Sequence, residues 1–229
     1  MRTVGLRQQH EHEEGRHAST LSHDAESSEP RFLVALAFSR ATSANSRAVS
    51  EPLVFDTSIE ALYVRALGPR VTPALKHDLR ALGLDLDKKL PPALPREAWY
   101  RGIDVTARHV FPALALDDAH REMGRLLISG MSDTTFGKAL APVVKLLGVR
   151  RVLGRVPHNI KTANTFATAT LVDEGPGVLR LEVNDVGSAP GLMRGSLEGL
   201  MRWAGASSAD VEVAQSAPPA ASYRLRWSE

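Results

Sequence analysis

Apolar residues recur at helical spacing from Glu51 to about residue 160 and alternate with polar ones after Asn164. Thr57-Ser58-Ile59-Glu60 is a capping-box pattern, and Ile59, Leu62, Tyr63 and Ala66 follow on one face. Gly68-Pro69 closes that helix. Thr72-Pro73 opens the next as cap and first position, with Leu75, Leu79 and Leu82 inward and Gly83 at its end. After Pro91-Pro92, the residues Trp99, Ile103, Ala107 and Val110 form a stripe that stops before Pro112. Asp117 caps a fourth helix with Ala119, Met123, Leu126 and Leu127 inward. Two amphipathic helices come next. Phe136, Leu140, Val143, Val144 and Leu147 line one, which Pro142 kinks; Val149, Val152, Leu153 and Val156 line the other.

The period then changes. The run from Thr165 to Val172 is rich in β-branched residues, Gly175-Pro176-Gly177 is a turn, and Val178 to Val183 alternates again, which predicts a hairpin. Pro190 to Ala204 reads as a helix ended by Gly205. Strands around Val211–Val213 and Tyr223–Trp227 follow, joined across Pro218-Pro219. The pattern predicts an α+β fold, with an N-terminal helical half packed on a C-terminal antiparallel sheet of order strand-strand-helix-strand-strand. The expected organisation is a single α+β domain over 51–229, helical over 51–160 and sheet-containing over 161–229.

Residues 1–50 differ in kind. Six acids balance six arginines, and only Phe32 to Phe38 is apolar. Such a tract buries too little surface to offset its ordering entropy, so a disordered tail is expected. A start-site artefact, with the true start near Val49, would also explain it. The seven-residue apolar run is far below the roughly 20 needed to span a bilayer, and its acidic flank does not suit a signal peptide. With no cysteine in the chain, disulfides, thiolate metal sites and cysteine nucleophiles are excluded, and a reducing, cytoplasmic setting is expected.

Net charge is only +2, yet Thr134 to Val172 holds Lys138, Lys145, Arg150, Arg151, Arg155 and Lys161 without one acid. Two readings are open: solvated backs of packed helices, or a surface that meets an anion. Arginine pairs donate in a fixed fork that suits phosphate or carboxylate. The candidate binding residues are therefore Arg150, Arg151, Arg155, His158, Lys161 and Asn164, for an anionic small molecule or an acidic protein surface. Stacking aromatics are sparse in the segment, and Phe136 is read as inward, so nucleic acid is not favoured. No catalytic motif of the GxxxxGK[ST], GxGxxG, HExxH or GxSxG type occurs. No catalytic residue, metal ligand or cofactor is assigned; His10, His12 and His17 are too loosely spaced to make a metal site. Gly191, Gly195 and Gly199, four apart on one helix face, imply close approach of another backbone, expected to be the sheet, or else a homodimer face or ligand floor.

Pro52 to Leu62, Leu82-Gly83-Leu84-Asp85, Thr134-Thr135-Phe136-Gly137, Gly148 to Leu153 and Tyr223-Arg224-Leu225-Arg226-Trp227 resemble a large paralogous family of uncharacterised myxobacterial proteins about 200 residues long. The resemblance spans about Glu51 to Trp227 and implies a type of protein without an assigned reaction. The order of elements is similar, more distantly, to haem–nitric-oxide-binding and four-vinyl-reductase-like sensor domains. That resemblance implies a ligand-sensing or interaction module in bacterial signalling or regulation. An enzyme acting on a phosphorylated or anionic small molecule, or a weak nucleic-acid binder, is the alternative. The haem-binding relatives carry Tyr-x-Ser-x-Arg, and neither Tyr63, Tyr100 nor Tyr223 begins one.

Overall fold

The structure, a computed structural model, describes residues 51–228. The expected disordered tail over residues 1–50, with His10, His12 and His17, lies outside the described residues. From residue 51 the order is β1 (Leu53–Phe55), α1 (Asp56–Ile59) continuing into a π-helical segment (Glu60–Leu67), α2 (Pro73–Ala81), β2 (Ala93–Pro95), α3 (Arg96–Val110) and α4 (Leu116–Ser132). Then come α5 (Thr135–Gly154), α6 (Val156–Ala163), β3 (Ala169–Gly175), β4 (Val178–Val183), α7 (Pro190–Trp203), β5 (Ser208–Ala217) and β6 (Ala220–Ser228). The α+β class and the order strand-strand-helix-strand-strand stand as the sequence predicts.

Helix capping explains some boundaries and corrects others. Thr72 Oγ1 accepts from Leu75 N at 3.2 Å and starts α2, and Thr134 Oγ1 accepts from Gly137 N at 2.9 Å and starts α5. Thr57 is not a cap: α1 begins at Asp56 with no side-chain cap, and Thr57 Oγ1 is buried without a partner. Asp117 likewise does not cap α4; its Oδ1 accepts from Gly191 N, at 2.9 Å, at the start of α7. In α5 the non-helical backbone falls at Gly148 (φ 74, ψ 165), where a left-handed φ favours glycine. Phe136 points outward, 41% exposed, which corrects its inward reading. Two short strands were missed: β1 pairs with β2 antiparallel, and Val54 bridges to Asn164. The Thr165–Val172 strand starts later than expected, because Thr165 bonds Leu53 through both its backbone N–H and its hydroxyl.

The larger sheet is antiparallel, in the order β3-β4-β6-β5. Its inner face, with Leu179, Leu181, Tyr223 and Leu225 buried, packs on α7 and on the α5–α6 region. Its outer face carries a charge ladder in which Arg180 and Arg224 both reach Glu174, at 2.8 and 2.9 Å. A second core lies among α1 to α4, and Phe166 packs against both cores. The two halves meet where α7 lies on α4. A Cβ added at Gly195 would sit 1.8 Å from Arg121 O, and one at Gly124 would sit 2.1 Å from Leu192 O. The glycine row therefore faces helix α4, not the sheet. Beside it Glu198, fully buried on α7, accepts from Arg121 Nη2 and lies 2.6 Å from Arg125 Nη2.

Candidate ligand cavity

Between the helical half and the sheet lies a cavity of about 230 Å³. Its walls come from the start of α1 (Thr57, Ser58), α3 (Trp99, Tyr100) and α4 (Leu127, Met131). The opposite walls come from α6 (Asn159, Ala163), the loop after β4 (Asp185, Val186) and α7 (Met193, Ser196, Leu200, Trp203). Close contact of α7 with α4 follows from the glycine row, and the bulky positions of α7 are left to line this space. The lining is dominated by aliphatic, thioether and aromatic groups, the composition of a site for an apolar molecule.

One charged pair reaches the wall, through Asp185. Arg96, at the start of α3, donates to Asp185 through Nε at 2.9 Å and Nη2 at 2.8 Å. Both side chains are more than four-fifths buried. The Arg96 guanidinium also lies 5.2 Å from the Tyr100 ring centre and 5.6 Å from that of Phe166, so the pair is held between two lining aromatics. Asp185 further accepts from Gly187 N at 2.9 Å. Burial, with the nearby Asp185 charge adding to it, pushes the Tyr100 phenol well above its usual range and keeps it neutral. Two polar atoms on lining residues, Thr57 Oγ1 and Asn159 Oδ1, are buried without a hydrogen-bond partner.

The six residues read from the sequence fall mostly elsewhere. Arg150, Arg151, Arg155, His158 and Lys161 are exposed on α5 and α6, and none of them lines the cavity. Arg150 pairs with Asp173. Only Asn164 reaches the wall, and its carboxamide is committed: it donates to Ile160 O at 2.9 Å and accepts from Phe166 N at 3.0 Å. Arg96, Tyr100 and Asp185 were missed. Arg96 and Asp185 are 89 positions apart, and neither sits in a local pattern that announces the other.

A family model described as "Protein of unknown function (DUF2378)" matches residues 52–228. The chain belongs to that family. No curated protein matches the DUF2378 chain in sequence. Among solved structures it is similar to the Fe(II) unliganded H-NOX protein from K. algicida, at 10% identity and a TM-score of 0.53 over 76% of this chain and 95% of that one. It is also similar to an oxygen-binding H-NOX domain related to soluble guanylate cyclases, at 15% identity and a TM-score of 0.55 over 76% and 92%. A Cs H-NOX mutant gives 11% identity and a TM-score of 0.58 over 76% and 97%. At such identities the likeness is one of fold.

The DUF2378 cavity does not present a haem donor set. No histidine lines it. Among the described residues, His109 Nε2 lies 2.9 Å from Asp78, His120 Nε2 lies 2.9 Å from Asp104, and His77 and His158 are exposed. Tyr100 is the one phenol in the lining, and its burial disfavours the phenolate form that binds iron. Two thioethers, Met131 and Met193, remain. No group of three or more His, Asp or Glu among the described residues could hold a metal ion, and no helix there is long and apolar enough to cross a membrane.

Proposed function

We propose that this protein is a non-enzymatic ligand-sensing module of signalling or regulation, and that it takes a compact, uncharged, apolar molecule into the cavity between its halves. One observation carries the reading: an apolar space of about 230 Å³ bounded by elements of both halves, so that an occupant touches each. Scaled from a cavity of ~150 Å³ that accepts benzene, it has room for about nine or ten non-hydrogen atoms. The chemistry of the wall favours binding over catalysis. It offers no lysine, histidine or cysteine, and its one carboxylate, Asp185, is bound by Arg96. The similarity of fold to H-NOX domains, one of them described as oxygen-binding, supports a sensing role, while the lining chemistry supports a ligand other than haem. Trp99 and Trp203 both line the space and report on it. Bromobenzene, a heavy-atom quencher, is expected to quench tryptophan fluorescence saturably and to raise the melting temperature of the wild-type chain. Ala163→Phe, which fills the cavity, is expected to abolish both effects. Quenching that is linear in bromobenzene and equal in the variant overturns the reading.

A further inference from the structure

We infer that the outer face of α5 is a docking surface for an acidic amphipathic helix of a partner protein. Phe136, Ala139 and Leu146, at spacings of three and seven, share one exposed face of the helix. The inward face is a different one, formed by Gly137, Leu140 and Val144, with Val143 and Leu147 packed beside them. On the outer stripe Phe136 is 41% and Leu146 85% exposed. A single exposed leucine needs no explanation. A row that includes the most exposed large apolar side chain among the described residues does, since nothing there covers it. Lys138 and Lys145 flank the row, and Arg151, Arg155 and Lys161 continue the positive charge along the chain. None of these five has an acidic partner among the described residues. The contrast with the outer sheet face is direct, because Arg180, Arg224 and Arg226 are each paired there with glutamate or aspartate.

An apolar stripe edged by unpaired cations is complementary to a helix whose apolar stripe is edged by carboxylates. Two large side chains are too little apolar surface for stable insertion into a lipid interface, and the stripe breaks the run of hydrogen-bond donors that a phosphate backbone would track. This inference is independent of the cavity. The test uses the full chain and four labelled probes in anisotropy titrations: a 14-residue Leu/Glu amphipathic helix, the same peptide with every Glu changed to Lys, phosphatidylserine vesicles, and a DNA duplex. The Leu/Glu peptide is expected to bind and the Leu/Lys peptide not to bind. Its affinity should fall about tenfold in Leu146→Ser, as for an apolar anchor at an interface. It should fall further with Lys145→Glu, and with added salt. Because Leu146 is so exposed, its replacement leaves folding intact, which an unchanged melting temperature confirms. Equal peptide binding by wild type and Leu146→Ser overturns the proposal, as does tighter binding of the vesicles or the duplex than of the Leu/Glu peptide.

Discussion

His120 shows how one buried side chain sets a pH dependence. Its imidazole is 2% exposed on α4, with Nε2 2.9 Å from Asp104 Oδ1 in a geometry too poor for a full hydrogen bond. Burial lowers its pKa, only partly offset by the Asp104 charge and the weaker pull of Asp117, while Arg108 pushes the same way as burial. In the unfolded chain the same group titrates near 6.5. Between those two values the unfolded state binds more protons than the folded one, so stability rises with pH across the window and falls as pH drops from about 6.5. The acids held low by arginine or backbone partners, Asp173, Glu174 and Asp85, lose their contributions only below the ordinary carboxylate range. Urea midpoints measured from pH 7.5 to 5 should therefore decline in the wild type, and decline less steeply in His120→Gln. Nothing in the sequence marks its contact with Asp104, which crosses from α4 to α3.

At the scale of elements, the helical stripes of α2, α3 and α7 were legible because burial on one face enforces the 3.6-residue period. The short strands β1 and β2 were not, since three residues carry no period and each strand exists only through a partner some forty positions away. The π-helical winding of Glu60–Leu67 was equally silent: it buries the consecutive residues Ala61, Leu62 and Tyr63, which a regular helix would spread around its axis. The glycine row announced close packing, but spacing names only the face and not its neighbour. The neighbour makes a graded prediction. An alanine methyl at Gly195 would meet the backbone of Arg121 at 1.8 Å, whereas at Gly199 it would meet the side chain of Ile128 at 3.0 Å. Gly195→Ala must force α4 and α7 apart, so it should cost about 3 kcal/mol or more, at the upper end of overpacking effects. Gly199→Ala should be near neutral, because a small shift of Ile128 is set against a gain of about 1 kcal/mol in helix propensity. Denaturant midpoints of the two variants check the order, and equal losses would mean that α7 does not rest on α4 through this row.

For the molecule as a whole, the question is how a ligand between two halves could change what the outside presents. The halves are joined at one side by the α4–α7 contact, which glycine packing and the buried Glu198–arginine cluster make rigid. Elsewhere they are joined by the backbone contacts of β1 with Asn164 and Thr165, and by Arg96 and Asp185, one at the start of α3 and the other in the loop after β4. The ion pair is small, polar and reaches the wall through Asp185, so it is a join that an occupant would disturb. Nothing in the sequence pointed to it, since an ion pair between residues 89 positions apart leaves no local signature. The acid-free segment, by contrast, stood out at once, because charge imbalance is visible along the chain. Asp185→Asn removes the charge and one strong acceptor while keeping the shape, and should cost about 2 kcal/mol, typical of a hydrogen bond to a charged group. The loss should be local. Amide hydrogen exchange is expected to quicken at the start of α3 and in the loop between β4 and α7, with β5 and β6 unchanged. Bromobenzene, filling the space beside the weakened join, should slow that exchange again. Uniform acceleration over the sheet would instead make the pair a contributor to global stability and leave the two halves without a separable hinge.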